Sequence, residues 1–253
     1  MAALRFEGGP WSGRIVVVTG ATSGIGREFA LRLAAEGAKV IACARDEMAL
    51  RELQMQCPAI EVFRCDVTVR LDVRALEAAI RHSHGRVDVL INNAGIMQQV
   101  DMLDGAVVDD ERIAYEIAVN LTGPILLTRT LLPLLCADQN SLIIMITSGY
   151  ALLPATRAPT YSASKAGLHS FTMALRRQLR GIGIRVVEVF PPLVDTPATR
   201  SVRKPKMSPE TLVDRVLRDI VRGKNEILPG LVGVLPLLMR LAPSYAARRV
   251  AET

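Results

Sequence analysis

Apolar positions along the chain come in two textures. Short, often β-branched runs read as buried strands at Arg14–Thr19, Lys39–Cys43, Ile60–Cys65, Val87–Ile91, Leu142–Thr147 and Ile184–Phe190. Between them lie segments whose apolar residues recur at helical spacing. The first, Gly24–Glu36, sets Ile25, Phe29 and Leu33 on one face. Further helices are expected at Glu47–Gln56, Val73–Arg81, Glu111–Leu135, Thr160–Arg180 and Ser208–Arg222, with a short last strand at Glu226–Leu228. Pro124 predicts a kink or break in the helix that contains it.

Strands alternating with helices imply an α/β fold. The expectation is a doubly wound parallel sheet of Rossmann type, with helices on both faces and right-handed crossovers. No linker interrupts residues 12–190, so residues 1–253 are read as a single domain. Beyond Phe190 the pattern loosens, and Pro191, Pro192, Pro197, Pro205 and Pro209 mark an irregular segment.

Composition narrows the function classes. Half the residues are apolar but only 4% are aromatic, so Val, Ile, Leu and Ala must build the core. That suits parallel strands covered on both faces. Cys43, Cys57, Cys65 and Cys136 form no CxxC pair and no metal-like cluster with the three histidines. They read as free thiols in a reducing cytoplasm, with no metal site. The net charge is +6, but the arginines are scattered through helical segments and no nucleic-acid motif is present. Met1–Ser12 carries Arg5 and Glu7 without an apolar run, and is read as neither signal peptide nor transit sequence. The most apolar stretch, Ile227–Ala242, is interrupted by Pro229, Gly230, Gly233 and Pro236. It falls short of the roughly 20 apolar residues that a membrane span needs.

The first strand ends in a turn, Thr19-Gly20-Ala21-Thr22-Ser23-Gly24-Ile25-Gly26, that opens a helix. Glycines there let backbone approach a pyrophosphate, and the helix N-terminus offers free N–H groups. Taken alone, the G-x-x-x-G-x-G spacing also suits a purely structural turn. The second strand ends Cys43-Ala44-Arg45, where an NAD site would place a carboxylate for the ribose 2′-OH. Arg45 can instead pair with a 2′-phosphate, with Ser23 and Arg27 as further polar contacts. This favours NADP(H) over NAD(H), against the plain alternative of a solvated strand end.

Tyr161 and Lys165 lie four apart at the start of a predicted helix and share a face. An ammonium near a tyrosine lowers its pKa, which would fit the phenol for proton transfer. The pair alone is a common coincidence. Its context is Ser148 just after the fifth strand, Asn120 within the long helix, and Asn92-Asn93-Ala94-Gly95 after the fourth strand.

With TGATSGIG at 19–26, Asp66, NNAG at 92–95, Asn120, Ser148 and YSASK at 161–165 in order, the sequence resembles a short-chain dehydrogenase/reductase over residues 12–200. The resemblance implies roles. Tyr161 would be the general acid in reduction and the base in oxidation. Lys165 would lower its pKa and hold the nicotinamide ribose. Ser148 would polarise the substrate carbonyl, and Asn120 would hold a relay water. Asp66 and Val67 would border the adenine, Asn93 and Gly95 the adenosine ribose, and Thr196 the carboxamide. Gly20, Thr22, Ser23, Gly24, Ile25, Gly26, Ala94, Pro191 and Val194 complete the expected cofactor envelope.

The resemblance has one departure, because Pro191-Pro192 replaces the usual Pro-Gly and should stiffen the loop. Substrate would meet Ile96, Met97, Gln98, Ser148, Gly149, Tyr150, Leu193 and Val194, with Gln98 and Tyr150 as polar handles. The resemblance also implies a substrate lid around 193–222 and a homodimer or homotetramer. Arg200, Arg203, Lys204 and Lys206 read as a solvated loop in preference to an anion site. The tail Leu231–Leu241, followed by Arg248 and Arg249, reads as a cover for the pocket or a neighbouring subunit in preference to a membrane contact. The expected activity is an NADP(H)-dependent interconversion of a small-molecule ketone and a secondary alcohol. The alternatives are an NAD-dependent alcohol dehydrogenase and a non-catalytic NADP(H)-binding regulatory protein.

Overall fold

The computed structural model describes residues 9–99, 101–102, 109–137, 140–200 and 202–242. Arg5, Glu7, Arg248 and Arg249 lie outside them. The first half runs β1 (Ile15–Thr19), α1 (Gly24–Ala35), β2 (Lys39–Ala44), α2 (Glu47–Gln56), β3 (Ile60–Arg64), α3 (Arg70–Ser83). The second runs β4 (Val89–Asn92), α4 (Asp110–Ile117), α5 (Gly123–Leu135), β5 (Ser141–Ile146), α6 (Pro159–Gln178), β6 (Ile184–Val189). α7 (Pro209–Val221), β7 (Glu226–Ile227) and α8 (Leu235–Leu241) follow.

The strands form one seven-stranded sheet in the order β3-β2-β1-β4-β5-β6-β7. Every pairing is parallel, with Val16 opposite Val89 and Ile144 opposite Val187. The chain winds outward from β1 to β3, then crosses back to β4 and winds the other way. The order of winding therefore reverses between the parallel neighbours β1 and β4, and a crevice opens there at the carboxyl ends.

Both faces of the sheet are covered, which is why β1 and β5 read as unbroken apolar runs. Val16, Val18, Ile91 and Ile144 pack with Phe29 and Leu33 of α1 and Val213 and Val216 of α7. Val17, Leu90, Ile143 and Met145 face the other way, toward Leu76 of α3, Leu127 and Leu131 of α5, and Leu168 of α6. This alternation along each strand produces the three-layer α/β/α arrangement. Each such side chain contributes roughly 1.5–3 kcal/mol by leaving water.

The long helix expected over 111–135 is present as one helical run, Asp110–Leu135. A five-residue π-helical turn, Ala118–Thr122, separates α4 from α5. Pro124 follows the π turn directly, with Thr122 and Gly123 still helical, so its missing N–H falls where the helical ladder changes register. By length and composition the run Asp110–Leu135 could cross a membrane. In the fold, α5 packs on α3 and α4 on α6, with Leu127, Leu131, Leu134 and Leu135 buried. Cys43 and Cys65 are buried and all four cysteines are free thiols. Among the described residues no cluster of His, Cys, Asp or Glu could hold a metal ion.

Candidate active site

A cavity of about 670 Å³ lies along the carboxyl ends of β1 to β6. That volume falls within the ~300–1,000 Å³ usual for ligand clefts. The cavity is elongated. Ala44, Arg45 and Asp66 stand at one end, and Ser148, Tyr161 and Lys165 at the other.

The glycine turn forms its floor. Gly20 has φ of +64°, and a Cβ there would lie 2.9 Å from the Ala94 Cα. The turn is therefore pressed against the segment after β4. Asn93 ties the two together, its Nδ2 donating to the carbonyls of Thr19 at 2.9 Å and Gly20 at 3.2 Å. The Thr19 hydroxyl accepts from the backbone amides of Asn93 and Ala94. Gly26 does not line the cavity. A Cβ at Gly26 would stand 2.3 Å from both the Asn93 Nδ2 and the Gly20 carbonyl oxygen, so it serves close packing of α1. Ser23 occupies the N-cap of α1 without its side chain capping the helix. With Thr22, Gly24 and Ile25 it lines the cavity, where the first-turn N–H groups favour an anion.

At the far end from Tyr161, the Arg45 guanidinium hydrogen-bonds the Tyr115 hydroxyl and lies 5.5 Å from the centre of its ring. The two nearby carboxylates, Asp46 and Asp66, line the cavity and each makes local bonds through Oδ1. Asp46 caps α2 by accepting from the Ala49 amide at 3.1 Å. Asp66 accepts from the amide and the hydroxyl of Thr68 at 2.9 and 2.7 Å. Arg27, a suggested phosphate contact, bonds the Gln56 side chain and is not on the cavity wall.

At the other end, α6 starts at Pro159, so Tyr161 and Lys165 fall on its first two turns. The Ser148 hydroxyl accepts from the Tyr150 amide at 3.1 Å, and Ser148 lines the same end of the cavity as Tyr161. Lys165 is buried and donates its Nζ to the Ile146 carbonyl at 2.9 Å. The expectation that Lys165 lowers the Tyr161 pKa is corrected. Burial dominates and pushes the phenol up to about 12; the Ser148 side chain opposes this, while Glu116 and Tyr150 add to it. Burial also drives Lys165 down to about 8, with Glu116 opposing.

Asn120 sits in the π turn, wholly buried and off the cavity wall. Its side chain brackets Ile96, accepting from the amide at 2.9 Å and donating to the carbonyl at 2.8 Å, and it also donates to the Ser164 hydroxyl. Asp66, Val67, Ala94, Gly95, Met97, Pro191, Val194 and Thr196 all line the cavity. Gln98, Tyr150 and Leu193 do not. The Gln98 amide side chain donates to the Arg112 carbonyl at 2.7 Å, which removes it as a polar handle. Tyr150 packs edge-on against Tyr161, ring centres 6.4 Å apart, behind the reacting hydroxyl's neighbourhood. The Leu193 carbonyl accepts from the Met207 amide, holding the loop to the segment before α7.

Two residues escaped the sequence reading. Tyr115 lines the cavity opposite Arg45, and Glu116 is wholly buried beside the chemical end. A carboxylate within the otherwise apolar run Ile113–Val119, four residues before Asn120, was the available signal for Glu116. Nothing local marked Tyr115.

A family model described as short chain dehydrogenase matches residues 14–207. The chain is 37% identical over 221 residues to the uncharacterized oxidoreductase DltE of Bacillus subtilis (strain 168), covering 84% of this chain and 86% of that one. Among solved structures, a short chain dehydrogenase from Burkholderia cenocepacia J2315 in complex with NADP superposes with a TM-score of 0.85 at 26% identity, covering 95% of this chain and 98% of that chain. The 3-ketoacyl-(acyl-carrier-protein) reductase from Brucella melitensis, complexed with NADH, gives a TM-score of 0.76 at 29% identity, covering 82% and 90%. With the sheet order, the glycine turn and the site geometry in agreement, the chain belongs to the short-chain dehydrogenase family and is an oxidoreductase on its Rossmann-type fold.

Proposed function

We propose that this protein uses NADP(H) to interconvert a ketone and a secondary alcohol, with Tyr161 as the group that gives and takes the proton. The observation that carries this reading is that Ser148, Tyr161 and Lys165 line one cavity with the glycine turn Gly20–Ile25. The bound cofactor would supply the hydride. In reduction the Tyr161 phenol donates its proton to the carbonyl oxygen while Ser148 orients that oxygen by a hydrogen bond. A phenol held up to about 12 keeps its proton through neutral pH and is a donor there. Lys165, held by the Ile146 carbonyl, would hold the nicotinamide ribose, and Asn120 fixes the Ile96 backbone.

The site residues fit an NADP(H) molecule. The first turn of α1 offers N–H groups to the pyrophosphate, and Gly20 leaves no side chain in the way. Asp66 and Val67 border the adenine, and Thr196 and Val194 the nicotinamide. Arg45 is the cation that supports a 2′-phosphate, while Asp46 and Asp66, each bonded through Oδ1, also line the cavity there. The NADP bound to the Burkholderia relative supports the phosphorylated cofactor, while the NADH bound to the Brucella reductase keeps NAD(H) as the second reading.

The test is turnover of a ketone panel with NADPH and with NADH, by the wild type and by Tyr161→Phe. Absence of any ketone-dependent NADPH oxidation, or full activity in Tyr161→Phe, overturns the reading.

A further inference from the structure

Glu116 is a carboxylate with no exposed surface, at the end of α4. Both of its oxygens are used. Oε1 accepts from the Gln98 backbone amide at 2.7 Å, and Oε2 accepts from the Thr160 hydroxyl at 2.5 Å. One residue of the reaction site follows each partner's neighbourhood. Thr160 immediately precedes Tyr161, and the 95–98 segment lines the cavity through Gly95, Ile96 and Met97.

The contacts of Asn120 repeat this pattern one helical step later. Asn120 takes the amide and carbonyl of Ile96 and the hydroxyl of Ser164. Residues 116 and 120 thus engage 98 and 96 on one side and 160 and 164 on the other. The backbone step of two is that of a strand edge, and the step of four is that of a helix face. Two polar side chains act as a short substitute strand between the 95–98 segment and α6. Tyr161 and Lys165 each follow one of the α6 contacts by a single residue.

We propose that Glu116 is a positioning residue for the reaction: by bridging the Gln98 amide and the Thr160 hydroxyl, it sets the register of the 95–98 segment against the first turn of α6 and so places Tyr161 over the cavity. The inference rests on the acid–base reading of Tyr161 above. A buried acceptor that keeps two neutral donors paired is costly to delete, because each donor is then left unsatisfied in a dry environment. The same carboxylate stands near enough to act on both ionisable groups of the site, raising Tyr161 and Lys165.

Two variants and two measurements test this. Amide hydrogen exchange of the peptide spanning 96–98 is compared between wild type and Glu116→Ala, without substrate. Exchange at Gln98 is expected to rise about tenfold or more, as a lost hydrogen bond to a charged acceptor implies. In parallel, kcat, KM and pH profiles are measured with NADPH and ethyl acetoacetate or cyclohexanone, and in reverse with NADP and the matching alcohol. Glu116→Ala is expected to lose about 10- to 100-fold in kcat with little change in NADPH affinity, the signature of misplaced reacting groups. Glu116→Gln keeps the shape and loses the charge, so the ionisation seen in the oxidation direction is expected to move down by about one unit.

Unchanged exchange at Gln98 overturns the bridge. A Glu116→Gln pH profile that superimposes on the wild type, together with kcat within about twofold in Glu116→Ala, overturns the positioning role. Should Glu116→Ala fail to fold, the Glu116→Gln profile alone decides. Tyr161→Phe is run alongside. If it retains full activity the acid–base reading fails, while the exchange measurement still judges the Glu116 bridge by itself.

Discussion

Lys165 stands beside the ring of Tyr161, with its Nζ 5.8 Å from the ring centre, and its hydrogen bond goes to the Ile146 carbonyl at the end of β5. The two residues are four apart on α6, a spacing that suggests mutual stabilisation of ammonium and phenolate. Exclusion of water works against both charges and wins, moving Tyr161 up to about 12 and Lys165 down to about 8. Burial therefore favours the protonated phenol at neutral pH.

That tuning has a directional consequence. Below its pKa, the phenolate fraction of Tyr161 grows about tenfold per pH unit, and only the oxidation direction needs phenolate. Alcohol oxidation should rise with pH through the neutral range, while ketone reduction stays nearly level. Steady-state rates in both directions across pH check this, and an oxidation rate that falls as pH rises would contradict it. Tyr161→Phe should cost about 10²–10⁴ in kcat/KM, the usual yield of a general acid.

The NADP(H) proposal assigns the cofactor preference to Arg45. Its guanidinium, now shared with the Tyr115 hydroxyl and ring face, is the cation at the adenosine end of the cavity. Arg45→Ala should weaken NADPH binding by about 10- to 100-fold, the worth of a hydrogen bond to a charged group. NADH affinity should hardly move. Titration calorimetry with both nucleotides reads this directly, and equal NADPH affinity in variant and wild type would remove Arg45 from the account.

Gly26 tests the packing of the glycine turn. An added Cβ would meet the Gly20 carbonyl oxygen and the Asn93 Nδ2 at 2.3 Å, and the carbonyl belongs to the turn itself. Gly26→Ala should cost about 1–3 kcal/mol by overpacking. At about 2–4 °C per kcal/mol for a chain of this size, the loss is visible in a thermal melt. An unchanged Tm would mean the turn can shift freely.

Glu188 predicts a pH signature in stability. It is wholly buried on β6, with the His169 Nδ1 2.9 Å from Oε1 and the Arg176 Nη2 3.8 Å from Oε2. Burial raises its carboxyl from 4.5 to about 7, with His169, Thr147 and Arg176 opposing. The native state then holds this proton more tightly than the unfolded chain. Its contribution to stability is full below the unfolded value and is lost as pH rises through about 7. Glu188→Gln removes the titration, so the stability of wild type relative to this variant should decline between about pH 5 and about pH 8, at up to roughly 1.4 kcal/mol per unit. Urea unfolding at the two ends measures it; a constant difference would rule out the shift.

Local chemistry was enough for much of this protein. The strand runs were legible because a parallel sheet covered on both faces leaves only apolar side chains along β1 and β5. The turn from Thr19 to Gly26 was legible because close backbone approach admits only glycine. Tyr161 and Lys165 shared a helix face by spacing alone. Tertiary structure decided the rest, because solvent exclusion and contacts between distant segments leave no local period. Gly123, whose Cβ would lie 2.9 Å from the Val67 Cγ2, and the bracket of Asn120 on Ile96 accompany the π turn that replaced a simple proline kink. Gln98 turned from the cavity to the Arg112 carbonyl, and Glu116 joined Gln98 to Thr160 across 62 residues that show no pairing in sequence. Four-residue spacing put an ammonium beside Tyr161, but packing around the phenol, which no local spacing shows, pushes its pKa up to about 12.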